Sequence, residues 1–215
     1  KGHNNDGIDP EMSQNILIEN CLFDQGDDAI SIKSGRNHDA WRLDTPTENI
    51  VIRNCVVQNG NQMLAIGSEL SGGIRNVYMH NVTYPYRYKA KLDNILRIKT
   101  NHRRGGFLEN IIIENCYAGK VEHGVLEIGT DVLFQWRDLV PTYDTAITRI
   151  KDIIIKDIEV GETRQAAIQI YGDQKLPVEN VIMENVKINK SPAENKIINT
   201  KGYVEKNVQI TITNY

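Results

Sequence analysis

Short runs of alternating apolar and polar residues recur along this chain, and each run follows an Asn or Asp that we call its opener. After Asn15, for example, residues 16 and 18 are aliphatic. Alternation with a period of two predicts a β-strand with one face turned inward. The openers read in this way are Asn15, Asn49, Asn76, Asn110, Asp152, Asn180 and a weaker one at Asn207.

A second Asn or Asp, which we call the bend residue, stands five positions after each of the first six openers. The apolar period slips by one residue at this point. Asn and Asp tolerate the left-handed backbone region and can hydrogen-bond their own backbone, so they predict a bend into a second strand. The bend residues are Asn20, Asn54, Asn81, Asn115, Asp157 and Asn185.

A third apolar run completes each repeat, as at residues 29–34 and 63–68. The openers lie 34, 27, 34, 42, 28 and 27 residues apart. Three short strands per repeat without helical periodicity predict an all-β fold, a right-handed parallel β-helix in which residues 1–215 form one solenoid domain. A β-propeller is the competing interpretation, but its repeat is longer and its strands are antiparallel.

Amino-acid composition adds little to the prediction of fold and function. The 215 residues are 40% hydrophobic, which suffices for a core, and the formal net charge of −3 predicts neither a nucleic-acid nor a membrane-surface partner. No segment is apolar and long enough for membrane insertion. Cys21, Cys55 and Cys116 each lie six positions after an opener. We therefore expect an interior column of small apolar side chains, with no disulfide and no metal site.

The third run predicts a groove on the outside of the helix. If Ile30 and Ile32 point inward, their neighbours in successive repeats share one outer face. Those neighbours are Ser31 and Lys33, Ala65 and Gly67, and Arg97 and Lys99. Small residues beside cations predict a shallow groove with a positive wall, which Arg103 and Arg104 would extend.

Acidic residues flank the start of this face. Asp6 and Asp9 lie within residues 4–9, and Asp27 and Asp28 follow Gly26. Adjacent carboxylates repel one another unless they are hydrated, bind a cation or transfer protons. Paired acids of this kind are what glycosidic cleavage requires, although a solvated turn would carry the same residues.

Four motifs, in this order, resemble those of glycoside hydrolase family 28, the polygalacturonases and their relatives. They are Asn-Asn-Asp-Gly-Ile-Asp-Pro at 4–10, Gly-Asp-Asp at 26–28 with Ile-Lys-Ser-Gly at 32–35, Ile-Gly-Ser-Glu-Leu-Ser-Gly-Gly at 66–73 and Arg-Ile-Lys at 97–99. The resemblance covers roughly residues 3–140. The form at 67–73 is similar to the bacterial, often exo-acting branch.

The resemblance implies an inverting hydrolase of galacturonate-containing pectic polysaccharide that needs no cofactor and no metal. Asp27 matches the general acid, while Asp6 and Asp28 match the pair that activates water. Arg97 and Lys99 match the cations that hold the sugar carboxylate. The chain would be the C-terminal part of a longer catalytic domain, secreted or periplasmic, with acidic plant cell-wall polysaccharide as partner.

Three further side chains are candidate substrate ligands. Lys33 lies on the outward face, Glu69 binds substrate or braces its loop, and Asn61 stands where the family has His in Gly-His-Gly or Gly-His-Gln. Asn can hydrogen-bond but cannot carry a proton or a positive charge. This departure leaves two alternatives open: a rhamnogalacturonan-directed hydrolase, or a weakened or inactive β-helix that only binds acidic polysaccharide.

Other candidates are weaker. A calcium-dependent lyase on a similar scaffold needs a carboxylate cluster and an Arg or Lys base. His3 and His102 lie near the predicted groove, whereas the remaining histidines are expected at the surface or in packing. Trp136, on an insertion at 131–147, stacks on a sugar or packs on the coil beneath.

Overall fold

The computed structural model describes residues 2–87, 89–132 and 145–213, so the predicted role of Trp136 lies outside the described residues. It contains one short helix, α1 (Asn37–Leu43), among fourteen strands in those ranges. The strands are β1 (Gln14–Glu19), β2 (Leu22–Asp24), β3 (Ser31–Ile32), β4 (Thr47–Asn59), β5 (Gln62–Gly67), β6 (Ile74–Tyr84), β7 (Asn94–Lys99), β8 (Phe107–Val121), β9 (Gly124–Gly129), β10 (Arg149–Thr163), β11 (Ile168–Tyr171), β12 (Val178–Ser191), β13 (Lys196–Ile198) and β14 (Thr200–Ile212).

These strands form two sheets in which the paired strands run parallel. The first, which we call the long-strand sheet, has the order β1-β4-β6-β8-β10-β12-β14, with β2 also paired to β4. The second, the groove sheet, has the order β3-β5-β7-β9-β11-β13. Sequential coils therefore stack side by side, which confirms the predicted parallel β-helix and excludes the antiparallel propeller.

The core is a set of in-register columns. Ile16 pairs with Ile50, which pairs with Val77, and the column continues through Ile111 and Ile153. From Ile50 onward these side chains are at most 1% exposed. Two of the three cysteines lie in the predicted interior column, because Cys55 and Cys116 are buried and Cys55 stacks on Val82. Cys21, in the first coil, is only half-buried.

Left-handed backbone occurs at both the bend residues and the openers. Asn54 has φ 54° and Asn49 has φ 59°, and both lie inside the single continuous strand β4. The predicted pair of strands is therefore one bent strand in this coil. The openers also hydrogen-bond along the axis: Asn76 Nδ2 donates to Asn49 Oδ1 at 2.9 Å, and Asn110 Nδ2 donates to Asn76 Oδ1 at 2.8 Å.

The assignment of Asn207 as an opener is wrong. Its Nδ2 donates to Oδ1 of the bend residue Asn185 at 2.9 Å, and Val208 pairs with Val186. The opener's place, beside Asn180, is taken by Gly202 at φ 70°. Glycine reaches this conformation without strain, so the last coil keeps its bend while its opener carries no side chain to recognise.

The helix α1 was not predicted from the sequence. It lies between β3 and β4, and the Trp41 indole N–H donates to the carbonyl of Arg104 at 3.0 Å. Seven residues are too few to show a helical period. No helix of the described residues is long and apolar enough to cross a membrane.

Candidate active site

Close backbone packing brings the first acidic residues together. The N–H of Gly7 donates to the carbonyl of Asp28 at 2.9 Å, and Ile8 and Ile30 form a parallel bridge. A Cβ on Gly7 would lie 2.4 Å from the carbonyl oxygen of Ala29. Only glycine allows this approach, which holds residues 4–9 directly beside the Asp27-Asp28 pair.

The structure places the three predicted catalytic carboxylates together. One oxygen from each of Asp6, Asp27 and Asp28 lies within 4.8 Å of the others. The backbone N–H of Asp28 also donates to Asp6 Oδ1 at 3.2 Å. Three negative groups this close favour uneven protonation, because like charges at short range disfavour full ionisation.

Asp28 is the most enclosed of the three. Its side chain is 2% exposed, and Lys99 Nζ lies 3.2 Å from its Oδ2. Burial raises the pKa of Asp28 to about 6, with Lys99 opposing the rise and Asp27 adding to it. Its Oδ1 is buried and has no hydrogen-bond partner among the described protein atoms. A carboxyl group with this pKa changes charge in the working range of a general base or acid.

Lys33 serves the other side of the cluster. Its ammonium lies 3.2 Å from Asp6 Oδ2 and 2.7 Å from Asp9 Oδ2. Burial lowers the pKa of Lys33, but its hydrogen bonds to Asp9 and Asp6 raise it on balance. For Asp9, in contrast, burial raises the pKa above its ordinary value. Lys33 is therefore held by carboxylates of the site.

Asn61 contacts Asp27 twice. Its Nδ2 donates to Asp27 Oδ1 at 2.8 Å, and its backbone N–H donates to the Asp27 carbonyl at the same distance. On the far side, Lys91 Nζ donates to Asn61 Oδ1 at 3.3 Å. The Asn that replaces the family His thus retains a hydrogen bond to the predicted general acid.

Arg97 belongs to a network that sequence reasoning missed. Its Nη2 lies 3.1 Å from Glu127 Oε1, and His123 Nδ1 lies 3.1 Å from Glu127 Oε2. Burial would raise the pKa of Glu127, yet His123 and Arg97 together lower it, and the hydrogen bond to Glu127 raises the pKa of His123. Glu127 pairs with Arg97 in the sheet register, so aligning VLEIG with ILRIK would have revealed the contact.

The predicted positive wall requires correction. Lys33, Arg97 and Lys99 each face a carboxylate at 3.2 Å or less. Arg104 does not extend the wall, because it is 8% exposed, with its Nε donating to the Ser68 carbonyl and its Nη1 to Asn37 Oδ1. The wall therefore alternates in charge, and an anionic ligand must exchange with carboxylates already present.

The remaining candidates are distributed along the same groove. Glu69 accepts a hydrogen bond from Arg36 Nε at 2.8 Å, a contact that braces its loop. His102 lies 2.9 Å from Asp173 in a depression that Tyr171 also lines. His3 is exposed near the other end. His123, expected in packing or at the surface, is partly exposed and pairs with Glu127.

The spacing of the three aspartates also suits a cation. Two ammonium groups already place positive charge beside these carboxylates, since Lys99 contacts Asp28 and Lys33 contacts Asp6. A divalent ion would have to bind against both positive charges. The arrangement therefore combines three clustered carboxylates with two ammonium groups at contact distance.

Known proteins match both this fold and this sequence. The chain is similar to the crystal structure of a hyperthermoactive exopolygalacturonase from Thermotoga maritima, with 32% identity and a TM-score of 0.81 over 98% of this chain and 45% of that chain. A family 28 exopolygalacturonase from Yersinia enterocolitica shares the fold, with 20% identity and a TM-score of 0.74 over 97% of this chain and 38% of that one.

Among curated sequences, the chain is 26% identical over 190 residues to the exo-poly-alpha-D-galacturonosidase of Dickeya chrysanthemi, covering 86% of this chain and 31% of that protein. The chain spans less than half the length of these relatives. The bacterial exo-acting relatives agree with the branch that the motif at 67–73 resembles. The family model of glycosyl hydrolases family 28 matches residues 1–209, and the chain belongs to that family.

Proposed function

We propose that this chain carries the catalytic aspartates of an inverting O-glycosidase that cleaves galacturonate-containing pectic polysaccharide, polygalacturonan or its oligogalacturonides. The observation that carries the proposal is the convergence of Asp6, Asp27 and Asp28 within 4.8 Å. Family membership and the names of the relatives, which include exo- and endo-polygalacturonases, supply the substrate class.

The proposed reaction is a single displacement. Asp27 gives its proton to the glycosidic oxygen as the bond from that oxygen to the anomeric carbon breaks. A water held by Asp6 and Asp28 attacks the opposite face, and its proton passes to one of these carboxylates. Asp27 ends ionised and the base ends protonated, so exchange with solvent restores the starting state.

Asp28 suits the role of base because of its surroundings. Its pKa of about 6 means that it is mainly ionised at neutral pH and still basic enough to take a proton. Its buried Oδ1 has an unused acceptor site. Lys99 joins this base to the wall that would hold the sugar carboxylate.

The stereochemical outcome depends on the space between the carboxyl groups. Inverting glycosidases usually separate them by about 6.5–9.5 Å to admit water. Here the nearest oxygens lie within 4.8 Å, and a water making two hydrogen bonds of about 2.7 Å bridges such an interval. Inversion is therefore proposed from the family resemblance and not from the carboxyl separation, and product stereochemistry is the test.

Substrate recognition would use Arg97 and Lys99 for the uronate carboxylate. Arg97 offers a planar fork that binds carboxylates in two-point fashion, and Lys99 offers a point charge. Because Arg97 already pairs with Glu127, binding would replace one carboxylate by another. Lys33 and Glu69 are proposed at the rim, where Lys33 also holds Asp6.

The test is a depolymerisation assay with the natural full-length protein. Reducing-end release would be measured on polygalacturonate, oligogalacturonides and rhamnogalacturonan, with proton NMR of the first-formed anomer. We expect an inverted anomer, and Asp27→Asn to lose about 10²–10⁴-fold in rate. A retained anomer, or full activity after Asp27→Asn, contradicts the mechanism. Secretion or periplasmic export, without a nucleic-acid partner or membrane insertion, is proposed with this substrate.

Asn61 favours a second candidate, a β-helix that binds acidic polysaccharide without cleaving it. An amide cannot carry the charge of a protonated imidazole. Binding without turnover in the natural protein, together with turnover gained in Asn61→His, would establish this candidate. Turnover on rhamnogalacturonan alone would instead identify a rhamnogalacturonan-directed hydrolase.

A further inference from the structure

Asn61 lies between Asp27 and Lys91, and its two amide ends have different partners. Nδ2 donates to Asp27 Oδ1 at 2.8 Å, while Oδ1 accepts from Lys91 Nζ at 3.3 Å. A carboxamide has a donor end and an acceptor end, whereas an ammonium only donates. Lys91 therefore selects one amide orientation, with the NH₂ group turned toward Asp27.

The backbone fixes this chain of contacts in place. Asn61 N–H donates to the Asp27 carbonyl at 2.8 Å, and Gly60 N–H donates to the Lys91 carbonyl at 2.9 Å. The Lys91 N–H in turn donates to Asn59 Oδ1 at 2.9 Å. Lys91 Nζ also lies 3.1 Å from Asp93 Oδ2, which holds the ammonium beside Asn61.

This orientation decides where the proton of Asp27 sits. Because Asp27 Oδ1 accepts from Asn61, and the carbonyl oxygen of a neutral carboxyl group is its better acceptor, the proton is favoured on Oδ2. With the amide reversed, Asn61 Oδ1 would face Asp27 and accept a hydrogen bond from its O–H. That arrangement would hold the proton away from the substrate.

We propose that Lys91 is a positioning residue for the general acid, acting through the Asn61 carboxamide to keep the transferable proton on Asp27 Oδ2. The inference rests on the proposed function, in which Asp27 protonates the glycosidic oxygen. It explains how the site uses Asn where the family has His: the lysine of the next coil supplies the orientation that a protonated imidazole, a donor at both ring nitrogens, would not need.

The first test is Lys91→Met in the full-length protein. We expect kcat to fall about tenfold with KM changed less than twofold, because the proposed carboxylate ligands Arg97 and Lys99 are unchanged while proton delivery is impaired. Lys91→Arg keeps a donor and should retain most of kcat. Lys187→Met is the matched control, since Lys187 is similarly exposed (58% against 52%) and pairs with Glu159 on the other sheet.

A double-mutant cycle separates positioning from support of the fold. In an Asn61→His background there is no amide to orient, so Lys91→Met should have no further effect on kcat. An equal loss in both backgrounds, or an unchanged kcat in Lys91→Met alone, would overturn the proposal.

A readout without turnover keeps this inference separate from the proposed function. In ¹H–¹⁵N spectra, the Asn61 side-chain amide should show a downfield, slowly exchanging proton, lost in Lys91→Met and kept in Lys187→Met. An unaltered resonance in Lys91→Met overturns the positioning role, even in a protein with no hydrolytic activity. Absent turnover with the expected spectral change would refute the proposed function alone.

Discussion

Lys99 Nζ lies 3.2 Å from Asp28 Oδ2, although 71 residues separate them in sequence. Asp28 precedes β3 and Lys99 ends β7, and β5 lies between these two strands in the groove sheet. The ammonium therefore reaches back across one coil to a carboxylate that is 2% exposed. This contact couples the proposed base to the proposed carboxylate-binding wall.

Removing that ammonium should change the pH dependence of the reaction. Lys99 lowers the pKa of Asp28 against the larger effect of burial, so Lys99→Met should raise that pKa above about 6. The base must be ionised, and the acidic limb of the kcat profile should move to higher pH. The measurement is kcat against pH at saturating oligogalacturonide, which discounts the expected rise in KM. A limb that stays in place or moves down would contradict the coupling.

Asp28 should also cost stability at neutral pH. Because the pKa of Asp28 is raised above its ordinary value of 3.8 to about 6, the folded state binds its proton more tightly. The protonated carboxyl group therefore stabilises the fold at low pH, and this stabilisation is lost as pH rises through about 6. This difference between the two pKa values corresponds to about 3 kcal/mol at most.

The check is urea unfolding of wild type and Asp28→Asn at pH 4.5 and 7.5. The variant should gain stability relative to wild type at the higher pH, while losing hydrolytic activity at both. Taking the difference between the two pH values cancels the unpaired Lys99, which is present in the variant throughout. Equal relative stability at both values would show that the carboxyl is not strained by burial.

His123 should tune the affinity for the uronate. When protonated, His123 neutralises the charge of Glu127, so that Arg97 is freer to bind the substrate carboxylate. When His123 is neutral, the Glu127 carboxylate pairs with Arg97 and competes with the substrate. Glu127 raises the pKa of His123, and Asp93 supports the rise while Arg97 opposes it. KM should therefore increase as pH rises through the titration of His123, and His123→Gln should flatten that dependence.

The prediction is checked by KM between pH 5 and 8, with a histidine NMR titration to locate the pKa. His80 provides the control because it stacks on Tyr78 in the long-strand sheet, away from the groove. His80→Gln should leave the pH dependence of KM intact. If His123→Gln also leaves it intact, the exchange between Glu127 and substrate at Arg97 is wrong.

The opener column should contribute to stability through backbone conformation and side-chain hydrogen bonds. Asn76 has φ 57°, donates to Asn49 and accepts from Asn110. Asn76→Ala should cost about 3–4 kcal/mol, from left-handed strain of about 1–2 kcal/mol and two lost hydrogen bonds of about 1 kcal/mol each. Asn76→Gly loses the two hydrogen bonds but adds no backbone strain, so it should cost about half as much.

Urea or thermal unfolding of the two variants measures the difference. The chain itself provides the precedent for the glycine, because Gly202 occupies an opener position at φ 70°. Equal losses for the alanine and glycine variants would mean that backbone strain contributes nothing. No loss in either would mean that the axial hydrogen bonds are exchanged for water without penalty.

Sequence pattern predicted the fold well because each coil repeats the same physical requirements. The aliphatic columns and the left-handed bends follow from residue types at fixed spacing, and both are confirmed. The pattern failed at Asn207, because the opener of that coil is a glycine with no side chain to recognise. It also failed at α1, because that helix is shorter than two full helical turns. Both failures come from information that a repeat does not contain.

The convergence of the three aspartates could be predicted because it follows from coil stacking and family resemblance. The pairing of the wall's cations with neighbouring groups could not be predicted from the sequence. Pairing of Arg97 with Glu127 requires the register of two coils, and the inward position of Arg104 requires knowing that Asn37 and Ser68 accept from it. Lys91 escaped notice for the same reason, since its contact with Asp27 passes through the amide of Asn61.

Strand register survives large differences in the length of chain between coils. Val181 and Tyr203 pair across 22 residues, and Ile111 and Ile153 pair across 42. Connections of very different length thus leave the hydrogen-bonded stack unchanged. Mutation can therefore lengthen or shorten the chain between two coils without changing the strand register that stacks one coil on the next.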